Sequence, residues 1–172
     1  HIHYTQGNLN NHIGVPLTLL QLTAEHEMAV VEMGASHPGD IKELVEIAEP
    51  DYGLITNVGM AHLQGFGSLE GVIRTKGEMY DYLRTTPRHT IFLNVDNQHL
   101  SAIAEGLEIV AYGQTEGSDI CGKFIDCAPY LRFRWRKHES EWHEVTTQLI
   151  GSYNIDNALC AVTVGTYFGV SE

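Results

Sequence analysis

The stretch MAVVEMGASHPGDIKELVEIAEPDYGLITN, residues 28–57, holds one strand–helix–strand unit. Met28 to Met33 is a short apolar run and reads as a buried strand. Gly39 to Glu49 places Ile41, Leu44, Val45 and Ala48 at helical spacing, and Pro50 stops the helix. Tyr52 to Asn57 reads as a second strand. Upstream, the polar, Asn-rich residues 5–13 read as a loop. Gly14 to Thr23 reads as a short helix, with Pro16 in a first turn where a missing N–H costs little. Downstream, Ser68 can cap a helix running to about Arg84. His89 to Asn94 and Leu107 to Tyr112 read as strands, with a short helix from Asn97 to Glu105 between them. This alternation predicts an α/β fold with a mostly parallel sheet flanked by helices. Beyond residue 112 the texture changes. Ile120 to Ile125, Tyr130 to Arg136 and Trp142 to Ile150 predict a small antiparallel β segment near residues 118–150. A last helix spans Tyr153 to Phe168. No repeat, low-complexity segment or linker interrupts residues 1–172, which read as one domain.

Ten Lys+Arg stand against 22 Asp+Glu, a net charge of −12. The acidic residues are spread along the chain, so the field repels a phosphate backbone and excludes nucleic acid as an expected partner. Arg132, Arg134 and Arg136 alternate with Leu131, Phe133 and Trp135, which fits a half-buried strand better than an RNA-binding one. No apolar run approaches the ~18–20 residues of a membrane span, so no membrane insertion is expected. Cys121, Cys127 and Cys160 are odd in number and form no C-x-x-C, which suits a reduced, cytosolic chain without a zinc site. No signal peptide is visible, and the chain starts at His1 without an initiator Met.

Three polar residues stand in apolar places. Glu32 ends the run Ala29-Val30-Val31, where a buried carboxylate is costly unless paired or metal-bound. A Glu turned outward at the strand's edge is the alternative. His62 lies just beyond the second strand, and ligands bind at the carboxyl ends of parallel strands. Lys76 shares the apolar register of Leu69, Val72, Ile73, Tyr80 and Leu83. Either it snorkels to water, or it points into a partly desolvated site where its amine becomes reactive. The carboxylate and the imidazole together could hold Mg²⁺, which works with phosphates; a lysine cation could not.

Four ordered motifs carry a family resemblance. They are Val31-Glu32-Met33-Gly34-Ala35, Ala61-His62-Leu63-Gln64-Gly65-Phe66-Gly67-Ser68, Thr75-Lys76-Gly77-Glu78 and Asn154-Ile155-Asp156-Asn157-Ala158-Leu159, and they follow an opening segment with the same resemblance, Gly7-Asn8-Leu9-Asn10-Asn11-His12-Ile13-Gly14-Val15-Pro16-Leu17-Thr18-Leu19-Leu20. From about Thr5 to its C-terminus, the chain resembles the central ATP-binding domain of the Mur ligases. The Asn-rich opening and the Gly-Phe-Gly-Ser segment favour the D-alanyl-D-alanine-adding branch.

The resemblance implies a bacterial cytoplasmic enzyme of peptidoglycan and cell wall synthesis. It implies ATP and Mg²⁺ as cofactors, and UDP-N-acetylmuramoyl-tripeptide and D-Ala-D-Ala as partners. It implies an amide ligation through an acyl phosphate. Glu32 then resembles the acidic magnesium ligand, His62 the ligand of a second magnesium, and Lys76 a magnesium-binding lysine carbamylated by CO₂, with His62 and Lys76 catalytic. Asn154 and Asn157 resemble the adenine-side pair. Asn57 matches a family position before the histidine, and Asn10 and Asn11 lie on the muramoyl-peptide side.

No G-x-x-x-x-G-K-[ST] phosphate loop occurs in the sequence. In the family it lies upstream of the Asn-rich segment. The UDP-binding and C-terminal domains have no counterpart either. The chain therefore reads as a central domain truncated on its N-terminal side, with an open sheet edge or gap and little or no ligase activity alone. Two other readings stand beside this one. One is a different ligase of the superfamily, of folylpolyglutamate or cyanophycin type. The other is a non-catalytic binding domain without a phosphate loop.

Overall fold

The computed structural model describes residues 1–58 and 66–171. The chain divides into two compact units, residues 1–53 with 58–89, and residues 54–57 with 90–172.

In the first unit, β1 (Ile2–Tyr4) and β2 (Met28–Val30) form a two-stranded parallel sheet, with Ile2 opposite Met28 and Tyr4 opposite Val30. β1 escaped the sequence reading because three residues are too few to show a period. β2 is shorter and more open than the expected buried strand. Met28 is half-buried, and Ala29 and Val30 are exposed. Among the described residues β2 pairs with β1 alone, so the strands make two sheets rather than one.

Three helices complete the unit: α1 (Gly14–Leu19), α2 (Asp40–Ala48) and α3 (Leu69–Leu83). α1 stops four residues before the expected Thr23. Its end tightens into short turns in which Gln21 N–H donates to Thr18 O and Leu22 N–H to Leu19 O. The helical spacing read from α2 does its work in the core. Ile41, Leu44 and Val45 pack with Val15 of α1, and Met33 and Met79 close over them. Ser68 caps α3 as expected, its Oγ accepting from Gly71 N–H at 3.1 Å.

Tyr80 of α3 is fully buried, and burial pushes its hydroxyl pKa up. Among the described residues its Oη has no hydrogen-bond partner. A buried hydroxyl that has lost water and gained nothing costs about 1 kcal/mol or more. Tyr80→Phe is therefore expected to raise the melting temperature by about 2–4 °C for a chain of this size. Thermal unfolding followed by circular dichroism checks it, and a fall in melting temperature counts against it.

The chain passes through β3 (Tyr52–Leu54) into the second unit. The six-stranded sheet runs in the order β3-β4-β5-β6-β7-β8. β4 (Thr90–Asn94), buried along its whole length, lies parallel to β5 (Glu108–Gly113), and β5 lies parallel to β6 (Ile120–Cys127). β7 (Tyr130–Lys137) and β8 (His143–Ile150) add antiparallel strands to the same sheet.

β7 shows the expected alternation. Leu131, Phe133 and Trp135 are buried, while Arg132 pairs with Asp126 and Glu144, and Arg136 with Glu116. Short α4 (Gln98–Ala102) follows β4. α5 (Asn154–Tyr167) packs across β4, β5, β6 and β7. It comes very close to β6 at Gly122, where a Cβ would lie 2.5 Å from both methyl carbons of Leu159. That glycine lets the helix carrying Asn154 and Asn157 sit down on the sheet.

Candidate functional site

Glu32 lies two residues past the end of β2 and is exposed. The expectation of a carboxylate inside a buried strand is thus corrected, and no desolvation cost has to be met. The outward-turned alternative describes its burial. Its position is nevertheless tightly held. The Glu32 N–H donates to Thr5 Oγ1 at 2.9 Å, and Asn10 Nδ2 donates to Glu32 Oε1 at 2.9 Å. Gly34 N–H donates to the Asn10 carbonyl at 2.7 Å. Asn10 therefore ties the Asn-rich loop to the segment after β2 through both its side chain and its backbone.

Asn11 has a different local task. Its Oδ1 accepts from Ile13 N–H at 3.1 Å and Gly14 N–H at 2.9 Å, covering donors that the first turn of α1 leaves unpaired.

Lys76 is half-buried on α3, beside the fully buried Thr75. Burial pushes its amine pKa down from the ordinary lysine value. A desolvated ammonium loses hydration that the neutral amine does not need.

Two residues on, Glu78 reaches the start of α2. Its Oε1 accepts from Gly39 N–H at 2.8 Å and its Oε2 from Lys42 N–H at 2.9 Å. Asp40 folds the preceding loop, its Oδ2 accepting from Ser36 and His37 N–H, each at 2.8 Å. Glu78 received no role in the sequence reading. No spacing rule relates it to Gly39, 39 residues earlier, and only the packing of α3 on α2 makes the pair visible.

In the second unit, Asn157 Nδ2 donates to Asn154 Oδ1 at 3.1 Å, and Asn154 Nδ2 donates to Ile150 O at 2.9 Å. The two amides therefore act as one fixed pair at the start of α5. Asn57 Oδ1 accepts from Asn97 Nδ2 at 3.4 Å. His62 and most of its motif lie outside the described residues.

Among the described residues, no group of three or more His, Cys, Asp or Glu side chains is placed to hold a metal. Magnesium does not need such a cage. It usually takes one or two protein carboxylates and fills its remaining positions with water and phosphate oxygens. Glu32 is an exposed carboxylate with one oxygen engaged by a neutral amide, which leaves the other oxygen able to serve as such a donor.

Residues 1–165 match the Mur ligase middle domain family. The chain belongs to the Mur ligase family. This Mur ligase domain is 50% identical over 173 aligned residues, 98% of its length, to the UDP-N-acetylmuramoyl-tripeptide–D-alanyl-D-alanine ligase of Escherichia coli. Among solved structures, MurF from Acinetobacter baumannii superposes with a TM-score of 0.85 at 31% identity, covering 99% of this chain and 37% of that one. MurF from Thermotoga maritima in complex with ADP superposes with a TM-score of 0.83 at 27% identity, covering 99% and 40%. The Mur ligase domain described here spans only 36–38% of the length of curated relatives such as those of Haemophilus influenzae and E. coli. Among the described residues, no helix is long and apolar enough to cross a membrane.

Proposed function

We propose that this chain is the nucleotide- and magnesium-handling part of a cytoplasmic ligase that joins D-Ala-D-Ala to UDP-N-acetylmuramoyl-tripeptide. The carrying observation is the Asn10–Glu32 clasp, which holds one exposed carboxylate beyond the end of a parallel strand. The likeness to the E. coli ligase over 98% of the chain supports it.

In this reading the tripeptide carboxylate attacks the γ-phosphorus of ATP, ADP leaves, and an acyl phosphate forms. The amine of D-Ala-D-Ala then attacks the acyl carbon. Inorganic phosphate departs with the old C–O bond, the nitrogen loses a proton, and the new bond is an amide. Magnesium, when bound, would neutralise charge on the phosphates and on the attacking carboxylate.

Of the two ions this reading calls for, Glu32 would hold one and His62 the second, with carbamylated Lys76 as a further oxygen ligand. Lys76 suits its part because burial favours its neutral amine, the form that attacks CO₂. The N–C bond forms, one N–H proton passes to solvent, and a carbamate anion replaces the cation. Asn154 and Asn157 would contact the adenine, since an amide can both donate to and accept from a base edge. Asn10 and Asn11 are assigned to the muramoyl peptide, and so, from its own unit, is Asn57.

The test is a phosphate-release assay on the full-length product of the gene that carries this sequence. Turnover is expected to require ATP, Mg²⁺, the UDP-linked tripeptide and D-Ala-D-Ala together, while the 172-residue chain alone stays at background. ATP hydrolysis that ignores D-Ala-D-Ala, or follows glutamate addition to a folate instead, overturns the assignment.

A further inference from the structure

We propose that Glu78 is a positioning residue that sets where Lys76 stands relative to Glu32, by clamping α3 to the start of α2. The inference rests on the reading of Glu32 and Lys76 as magnesium-holding residues.

The N-cap of α2 is Gly39, which has no side chain to cover the unpaired N–H groups of the first turn. Glu78 supplies that cover from another helix. Both of its oxygens are engaged, at 2.8 Å and 2.9 Å, so the carboxylate has one orientation rather than several. Its negative charge also faces the positive end of the α2 dipole.

The segment between Glu32 and Gly39 has little slack. Asn10 holds it near Glu32 through Gly34, and Asp40 holds Ser36 and His37. Hydrogen bonds at Gly34, Ser36, His37 and Gly39 thus pin this loop at successive points between Glu32 and Glu78. Lys76 follows two residues back on the same helix. A carboxylate and a carbamate that serve magnesium at one phosphate-handling site must be held at a set separation, and Mg²⁺ tolerates little deviation in its ligand geometry. Residues that orient metal ligands from behind typically contribute a factor of about 10–100 in metal affinity.

The experiment uses the full-length gene product and measures kcat against Mg²⁺ concentration, with melting temperature recorded for each variant. Glu78→Ala is expected to raise the Mg²⁺ concentration for half-maximal rate about 10–100-fold. Glu78→Gln, which keeps one acceptor oxygen for one of the two N–H groups, is expected to fall between it and the unsubstituted protein. Ile41→Val removes a methylene from the same unit and controls for lost stability alone. It is expected to leave the Mg²⁺ requirement unchanged.

A lowered melting temperature with an unchanged Mg²⁺ requirement in both Glu78 variants overturns the proposal and leaves Glu78 as a helix cap. Failure of the proposed reaction shows in the unsubstituted protein, whereas failure of this inference shows only in the comparison of variants.

Discussion

If the proposed function holds, Lys76→Ala is expected to lower the ligation rate of the full-length gene product about a thousandfold, the equivalent of the several kcal/mol that a bound metal contributes to charge stabilisation. The size follows from what the side chain is asked to do. Lys76 is half-buried on α3, where burial disfavours its charged form. The proposed function has the neutral amine take up CO₂ and become an oxygen ligand, and alanine would offer nothing in its place.

Lys76→Arg separates this role from that of a simple cation. Arginine keeps the charge and the length but stays protonated, so it cannot form the carbamate. Both variants are expected to fall together, and assays in CO₂-depleted buffer should slow the unsubstituted enzyme alone. An arginine variant that retains a tenth or more of the rate would show that charge, not carbamylation, is what the site uses.

Gly14→Ala has the largest expected effect on the fold around the site. A Cβ at Gly14 would lie 2.3 Å from the Leu9 carbonyl carbon, 2.4 Å from its Cα and 2.6 Å from its oxygen. These are backbone atoms, which cannot swing aside as the end of a side chain can. The loop must move, and it carries both Asn11, which caps α1, and Asn10, which holds Glu32.

Inserting volume against an unyielding neighbour costs typically ~1–3 kcal/mol, and the upper end applies here. For a chain of this size, that corresponds to a fall of about 6–12 °C in melting temperature. Amide hydrogen exchange supplies the local readout. Protection at Gly34, whose N–H donates to the Asn10 carbonyl, should drop more than protection in β4. Unchanged protection at Gly34 would mean that the loop absorbs the methyl without releasing Asn10.

Local signals carried far in this chain. The apolar spacing of Ile41, Leu44 and Val45, the Ser68 cap and the alternation of β7 could each be read from a few neighbouring residues. The structure reproduces them because helix and strand periods arise within a short span of chain. The family was legible for a related reason, since four motifs in a set order are a property of the sequence itself, and the match over residues 1–165 bears it out.

The reading was weakest where a strand had too few residues to show a period, as in β1. It also erred where an apolar run was assumed to be covered. Glu32 was placed inside a buried strand, yet β2 ends at Val30 and leaves it exposed.

By itself, then, the sequence determined the α/β class, most elements to within a few residues, and the Mur ligase family. Tertiary structure alone decided what holds the site residues. Asn10 meets Glu32 across 22 positions of chain, Glu78 meets Gly39 across 39, and α5 settles onto β6 only because Gly122 leaves room for Leu159. Hydrogen bonds and close contacts of this kind depend on distance in space, which a linear pattern does not encode. Helix and strand periods depend on distance along the chain, which it does.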